Sequence, residues 1–211
     1  MDATAFVLYR FEGDGGTIQD ERHNLDGDLA AGAVRTAGGK YGKGIEFDGS
    51  SGMIALGNMN ISGPGLTLMA WIRADDFGIY DARIISKATG VQDNDHYWML
   101  STFSNNSIRF RLKAGGSTTT LISVGGVVSQ NQWHHVAAVY NGLEMRIFVD
   151  GIMRGSTPKT GQVDSNATVP ASIGNQPQGA KSFDGTVDEV KFFNYALNND
   201  EIFAAMSAAP E

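Results

Sequence analysis

Short runs rich in β-branched and aromatic residues recur along the chain, separated by Gly, Asn or Asp. Successive side chains of a strand point to opposite faces, so each run can be read for what its two faces meet. In "FVLYRF", residues 6–11, Val7, Tyr9 and Phe11 share one face. "SIRFRLKA", residues 107–114, sends Ile108, Phe110 and Leu112 one way and Arg109, Arg111 and Lys113 the other. "LTLMAWIRA", residues 66–74, is apolar on both faces, as in a central strand covered on both sides, and Trp71 reads there as core. "GIEFDG", residues 44–49, runs into a turn. "QWHHVAAVYN", 132–141, leads into "EMRIFVDGIMRG", 144–155, whose Asp150-Gly151 pair signals a hairpin between apolar strands. Helical periodicity is confined to the tail "NNDEIFAAMSAA", 198–209, with Asn198 or Asn199 as cap and Asp200 and Glu201 in the first turn. The pattern predicts an all-β sandwich or barrel with a short C-terminal helix.

One strand raises a chemical question. In "FDGTVDEVKFFNYAL", residues 183–197, strict alternation groups Val187, Glu189, Lys191 and Phe193 on one face. The other face takes Asp188 with Val190 and Phe192. A carboxylate among residues that want burial is costly unless something pairs with it. Either Asp188 accepts backbone N–H bonds, or it meets a cation. Glu189 reads as solvated or paired with a Lys or Arg.

Composition narrows the function. The chain has 211 residues, enough for one β-rich domain over 1–211, and shows no internal repeat or linker. With 16 Lys and Arg against 23 Asp and Glu the net charge is −7, which argues against a nucleic-acid partner. The absence of cysteine excludes disulfides, thiolate metal sites and cysteine nucleophiles. No apolar run approaches the roughly 18 residues of a membrane span. Met1-Asp2-Ala3-Thr4 lacks the start of a signal peptide. Asn60, Asn105 and Asn166 sit in glycosylation-type triplets of a kind that arises by chance.

Four stretches carry a family resemblance: "FVLYRFEGDGGTIQDERHNLDGDL", "LTLMAWIRA" with "RIISK", "QWHHVAAVYNG…MRIFVDG", and "FDGTVDEVKFFNYALNNDEI". In that order they resemble the laminin-G-like, concanavalin A-like lectin/glucanase domains of secreted proteins. The resemblance implies a two-sheet antiparallel jelly-roll sandwich with one concave face. It implies a structural calcium ion tying the N-terminal loop to the last strand. The matching ligands would be Glu12 and Asp188, with backbone carbonyls around Asn24 and Asp14 as a further candidate; calcium takes roughly six to eight oxygens. It also implies an extracellular or cell-surface location and a glycan or polysaccharide partner.

Loops on a rigid scaffold are where binding usually resides. Residues 75–96 and 156–182 are the long irregular segments. In the first, Tyr80 lies among acidic residues, and "DNDHYWMLST" runs from an acidic loop into a strand. Tyr80, Asp95, Tyr97 and Trp98 are the candidate ligand contacts, since aromatic rings suit the apolar faces of sugars. Tyr97 and Trp98 are adjacent, so one is expected to be buried. Asp75, Asp76, Asp81, Asp93 and Asp95 read as solvated loop charge rather than a second cation site. Arg109, Arg111 and Lys113 read as a solvated face, with a basic stripe for an acidic polysaccharide as the sharper alternative. His134 and His135 face opposite ways and serve structure, as does Trp133; Asp150 forms a turn. Retaining glycosidases need two carboxylates about 5 Å apart. The Glu-x-Asp-x-(x)-Glu strand motif of laminarinase-like hydrolases is absent, as are a nucleophile elbow and a zinc-protease motif. The expectation is a non-catalytic, lectin-like module; the alternatives are a protein-interaction domain or a polysaccharide-cleaving enzyme.

Overall fold

A computed structural model describes residues 5–207; the N-terminal four residues and the last two of the expected helix, 208 and 209, lie outside them. The strands are β1 Val7–Tyr9, β2 Thr17–Ile18, β3 Gly27–Leu29, β4 Ala33–Thr36, β5 Gly44–Asp48, β6 Ile54–Ala55, β7 Leu66–Ala74 and β8 Arg83–Ala88. They continue as β9 His96–Phe103, β10 Ser107–Ala114, β11 Ser117–Ile122, β12 Trp133–Tyr140, β13 Glu144–Val149, β14 Ile152–Pro158, β15 Ala171–Ile173 and β16 Asp184–Phe193. A single α-helix among the described residues, α1, covers Asn199–Ser207.

Two eight-stranded sheets result. The first runs β14-β13-β12-β7-β16-β5-β4, with β1 beside β16; the second runs β11-β10-β9-β8-β15-β6-β3-β2. Their ladders are antiparallel, which gives the sandwich that the alternating runs predicted. Ile108, Phe110 and Leu112 of β10 and Leu68, Ala70 and Ile72 of β7 fill the space between the sheets. Trp98 lies there too, fully buried and edge-on to Phe192 at 5.7 Å.

The outer face of the first sheet is closed by the tail. Leu8, Met69, Val139, Phe148 and Phe193 form a second apolar layer with Leu197 and Ile202. This is why β7 is apolar on both faces. The helix starts as its sequence dictates: Asn198 Oδ1 accepts the Glu201 N–H at 3.0 Å, and the Glu201 carboxylate accepts the Asn198 N–H at 2.7 Å.

Strand β16 departs from strict alternation. Glu189 adopts φ 49°, and the register on β7 shifts between Asp188 and Lys191. This bulge inserts one residue, so Val187, Val190 and Phe192 all reach the core. Asp188 therefore does not share a face with Val190 and Phe192. It lies opposite Trp71, on the outer face. Trp71 is buried, but against Tyr41, His135 and the Lys40 ammonium rather than in the core between the sheets. Glu189 is paired, not solvated: it is 2% exposed, with Lys191 Nζ at 3.1 Å.

Candidate functional site

Among the described residues the outer face of the second sheet carries charge rather than a second apolar layer. Cross-strand register builds it in rows. Arg83, Ser101 and Arg109 align across β8, β9 and β10. Ser172, Ser86, Met99, Arg111 and Thr120 align across β15 to β11. Loops fold over these rows, so Arg83, Arg109 and Arg111 are 0%, 4% and 6% exposed. The solvated face expected for Arg109 and Arg111 is thus a buried polar layer, because the residues 76–82, 89–95 and 174–181 supply its partners.

Those partners are specific. The Asp81 carboxylate pairs with the guanidiniums of both Arg83 and Arg109 and accepts the Ser101 hydroxyl at 2.7 Å. Arg83 Nη1 also donates to the Asp81 carbonyl at 2.6 Å, and Nε donates to Gln176 Oε1 at 2.8 Å. Arg83 Nη2 lies 3.1 Å from His96 Nε2. Gln176 Oε1 accepts the Ser86 hydroxyl at 3.2 Å, and its amide donates to the Gly90 carbonyl at 2.5 Å. Arg111 pairs with Asp93 and donates from Nε to Thr120 at 3.2 Å. Asp81 is thus the buried centre of the acidic loop cluster and not a solvated charge, while Asp75 and Asp76 stay at the periphery with Arg73 and the Phe77 N–H.

Electrostatics follow from burial. Desolvation first, then Arg111, lowers Arg83 to about 9 and Arg109 to about 10, so both stay charged at neutral pH. Desolvation, then Arg83 and Arg111, pushes His96 down to about 4. Its imidazole is neutral and accepts from Arg83.

An aromatic rim borders this layer. Tyr80 is 57% exposed, with its ring 4.8 Å from that of Phe103. The Arg109 guanidinium lies 4.2 Å from the Phe103 ring centre, and Lys181 Nζ lies 5.7 Å from that of Tyr80. Tyr97 sits at the other end of β9, between Lys87 and Lys113, with Asn166 on its hydroxyl at 3.4 Å. Residues 97 and 103 are six positions apart on one strand, about 20 Å. The structure therefore does not bring Tyr80 and Tyr97 into one contact surface. Asp95 is turn chemistry: its carboxylate accepts the Gln92 N–H at 2.9 Å and closes the 3-10 turn Asp93–Asp95. Trp98 belongs to the core and is out of reach of a ligand. Arg83, Phe103, Gln176 and Lys181 were passed over in the sequence; an arginine opening the apolar "RIISK" was the one available signal.

The expected calcium ligands meet hydrogen-bond donors instead. Asp188 accepts the Tyr41 N–H at 2.9 Å on one oxygen and the Glu189 N–H at 2.7 Å on the other. Burial raises it to about 7 despite those bonds. Glu12 accepts the Lys43 N–H at 3.0 Å, and Asp14 holds the Lys43 ammonium at 2.8 Å. Asn24, at φ 57°, lies in a turn organised by Asp20, whose carboxylate accepts the N–H groups of Leu8, Arg22, His23 and Leu25. The neighbouring loop carbonyls of Phe11, Gly15 and Thr17 are taken by the Arg35 guanidinium. Among the described residues no three His, Asp or Glu side chains converge to hold a metal. Glu12, Asp14, Asn24 and Asp188 as arranged do not fit a calcium shell.

Comparison with known proteins accords with this architecture. A family model, Laminin_G_3 of the concanavalin A-like lectin/glucanases superfamily, matches residues 48–203. A comparison with curated sequences returns no match. Domain 4 of AbnA, a GH43 extracellular arabinanase from Geobacillus stearothermophilus solved with arabinotriose, aligns over 97% of this chain and 99% of its own. Its TM-score is 0.70 at 16% identity. The binding domain of Paraclostridial Mosquitocidal Protein 1 aligns over 93% of this chain with the same TM-score and identity, but this chain spans only 51% of it. Trypanosoma rangeli sialidase aligns over 94% of this chain and 32% of its own, with TM-score 0.66 and 20% identity. At these identities the likeness concerns the fold.

Proposed function

Because the chain belongs to the concanavalin A-like lectin/glucanases superfamily, we propose that it is a non-catalytic carbohydrate-binding module of an extracellular protein. The observation that carries this reading is the Tyr80–Phe103 pair, a partly solvent-facing aromatic step on the outer face of the second sheet, away from the face that α1 covers. Sugar rings stack on such amphipathic surfaces, and the buried network beneath Phe103 holds it rigid. Arabinotriose bound to Domain 4 of AbnA and the extracellular description of that enzyme support the ligand class and the location. Among the described residues no helix is long and apolar enough to cross a membrane.

The non-catalytic part rests on the acids of this face. Asp81 is held between two guanidiniums, Asp93 by Arg111, and Asp95 by its own turn. A carboxylate so engaged is a poor proton donor or nucleophile, which differs from the paired, differently tuned acids of a glycosidase. The test is a glycan and polysaccharide screen with the intact protein and with Tyr80→Ala. Binding that falls with Tyr80→Ala at unchanged melting temperature supports the reading. No binding to any glycan, or binding indifferent to this substitution and to Phe103→Ala, refutes it. Sugar release from the same panel would overturn the non-catalytic part.

A further inference from the structure

The charge beside the aromatic rim is unbalanced. The buried layer holds three guanidiniums, from Arg83, Arg109 and Arg111. It holds one buried carboxylate, Asp81; the second acid, Asp93, is at the rim with its side chain 76% exposed. Lys181 adds a further cation at the Tyr80 ring. This concentration stands against a chain whose net charge is −7. Arg109 is closed over: Nη2 meets Asp81, the Tyr80 side chain engages its guanidinium, and its side chain is 5% exposed, so it acts on a ligand at the rim through its charge alone. Tyr80 and Phe103 are the rings over that guanidinium, and Tyr80 belongs to an exposed loop.

We propose that the Tyr80–Phe103 step is a subsite for a carboxylated sugar, a uronate or a sialate residue of a glycan. The ring stacks on the exposed Tyr80 beside Phe103, and the carboxylate is received by Lys181, with the buried guanidiniums of Arg83, Arg109 and Arg111 adding positive charge from beneath. This rests on the carbohydrate-binding reading and specifies its ligand. A lysine ammonium beside an aromatic step gives a carboxylate a charged partner. The surplus positive charge of the layer sets the preference for acid over neutral sugar.

The experiment compares glycans that differ only in the carboxylate. The intact protein is titrated calorimetrically with polygalacturonate and its carboxyl-reduced form, and with sialyllactose and lactose, at low and high salt. Binding of one acidic member, with its neutral counterpart weaker by roughly tenfold or more, is the expected result. Lys181→Ala should lower that affinity by a similar factor at unchanged melting temperature, and raising the salt should weaken it. Equal affinity for acidic and neutral members, or an affinity untouched by Lys181→Ala, overturns the carboxylate subsite and leaves the carbohydrate-binding reading standing. No binding to any member, together with a negative glycan screen, overturns both.

Discussion

Asp81→Asn tests the carboxylate at the centre of the buried charged layer. The carboxylate is 5% exposed at its side chain and neutralises two guanidiniums that are 0% and 5% exposed. Asparagine keeps the volume and can still accept the Ser101 hydroxyl, so the substitution removes chiefly the charge. It leaves two buried cations facing one another, with Arg111 close enough to lower both. Breaking a buried pair by removing one partner costs about 3–5 kcal/mol. For a domain of this size, one kcal/mol moves the melting temperature by roughly 2–4 °C, so a fall of about 6–20 °C is expected. Calorimetric or circular-dichroism melts at neutral pH measure it. A second substitution sharpens the reasoning. Adding Arg109→Met to Asp81→Asn removes one orphaned cation, and the double variant should melt above the single one. A single variant within about 2 °C of the wild type, or a double variant lower than the single, would show that Asp81 does not hold this layer together.

Three further outcomes follow from contacts elsewhere in the molecule and from His96. His96 is pushed from 6.5 to about 4, so the unfolded chain takes up a proton that the folded chain refuses until lower pH. Its contribution to stability is complete above pH 6.5 and is lost as the pH falls from 6.5 to about 4, at up to roughly 1.4 kcal/mol per pH unit. Asp188, raised to about 7, acts in the opposite sense over the overlapping range, so the quantity to measure is the difference between wild type and His96→Gln. That difference should shrink from pH 7 to pH 5; parallel profiles would show that the imidazole is not held neutral. Arg35→Met removes three bonds to the carbonyls of Phe11, Gly15 and Thr17 and should lower stability by about 1.5–3 kcal/mol, with faster amide exchange across residues 11–17. Unchanged exchange there would show that the guanidinium does not organise the loop. Chelator should leave the melting temperature unchanged, because Lys43 and backbone N–H groups occupy Glu12, Asp14 and Asp188; a fall restored by calcium would put a cation back beside them.

What was legible in the sequence is what a period of two can encode. The alternation of Ile108, Phe110 and Leu112 placed the core face of β10, and Asp150-Gly151 placed the hairpin of β13 and β14. Asn198 and Glu201 marked the start of α1. The same rule failed on β16 because a bulge consumes a residue without changing the composition of the strand. Glu189 has no side-chain feature that announces a left-handed φ, and only the partner strand β7 reveals the shift. Trp98 is a related case. Adjacent aromatics must split between faces, but pairing with Phe110's neighbour Leu112 on β10 decides which of them goes inward.

The site was harder to read because its logic is not local. A charged residue on a strand ordinarily announces solvent, and Arg109 and Arg111 would be solvated if β10 stood at an open face. They are buried because an acid from the β7–β8 loop and another from the turn before β9 arrive over them. Gln176, 93 positions beyond Arg83, completes the layer from yet another loop. No spacing in the chain links these residues; the register of β8, β9 and β10 does. The order matters for function. Once the layer closes on itself through Asp81, it cannot serve as an open charged cleft. What it presents to solvent is its unbalanced edge, at Tyr80, Phe103 and Lys181. Under the proposed function a ligand there would meet Tyr80 beside a Phe103 ring packed on the Arg109 guanidinium, with the surplus positive charge of the layer behind them.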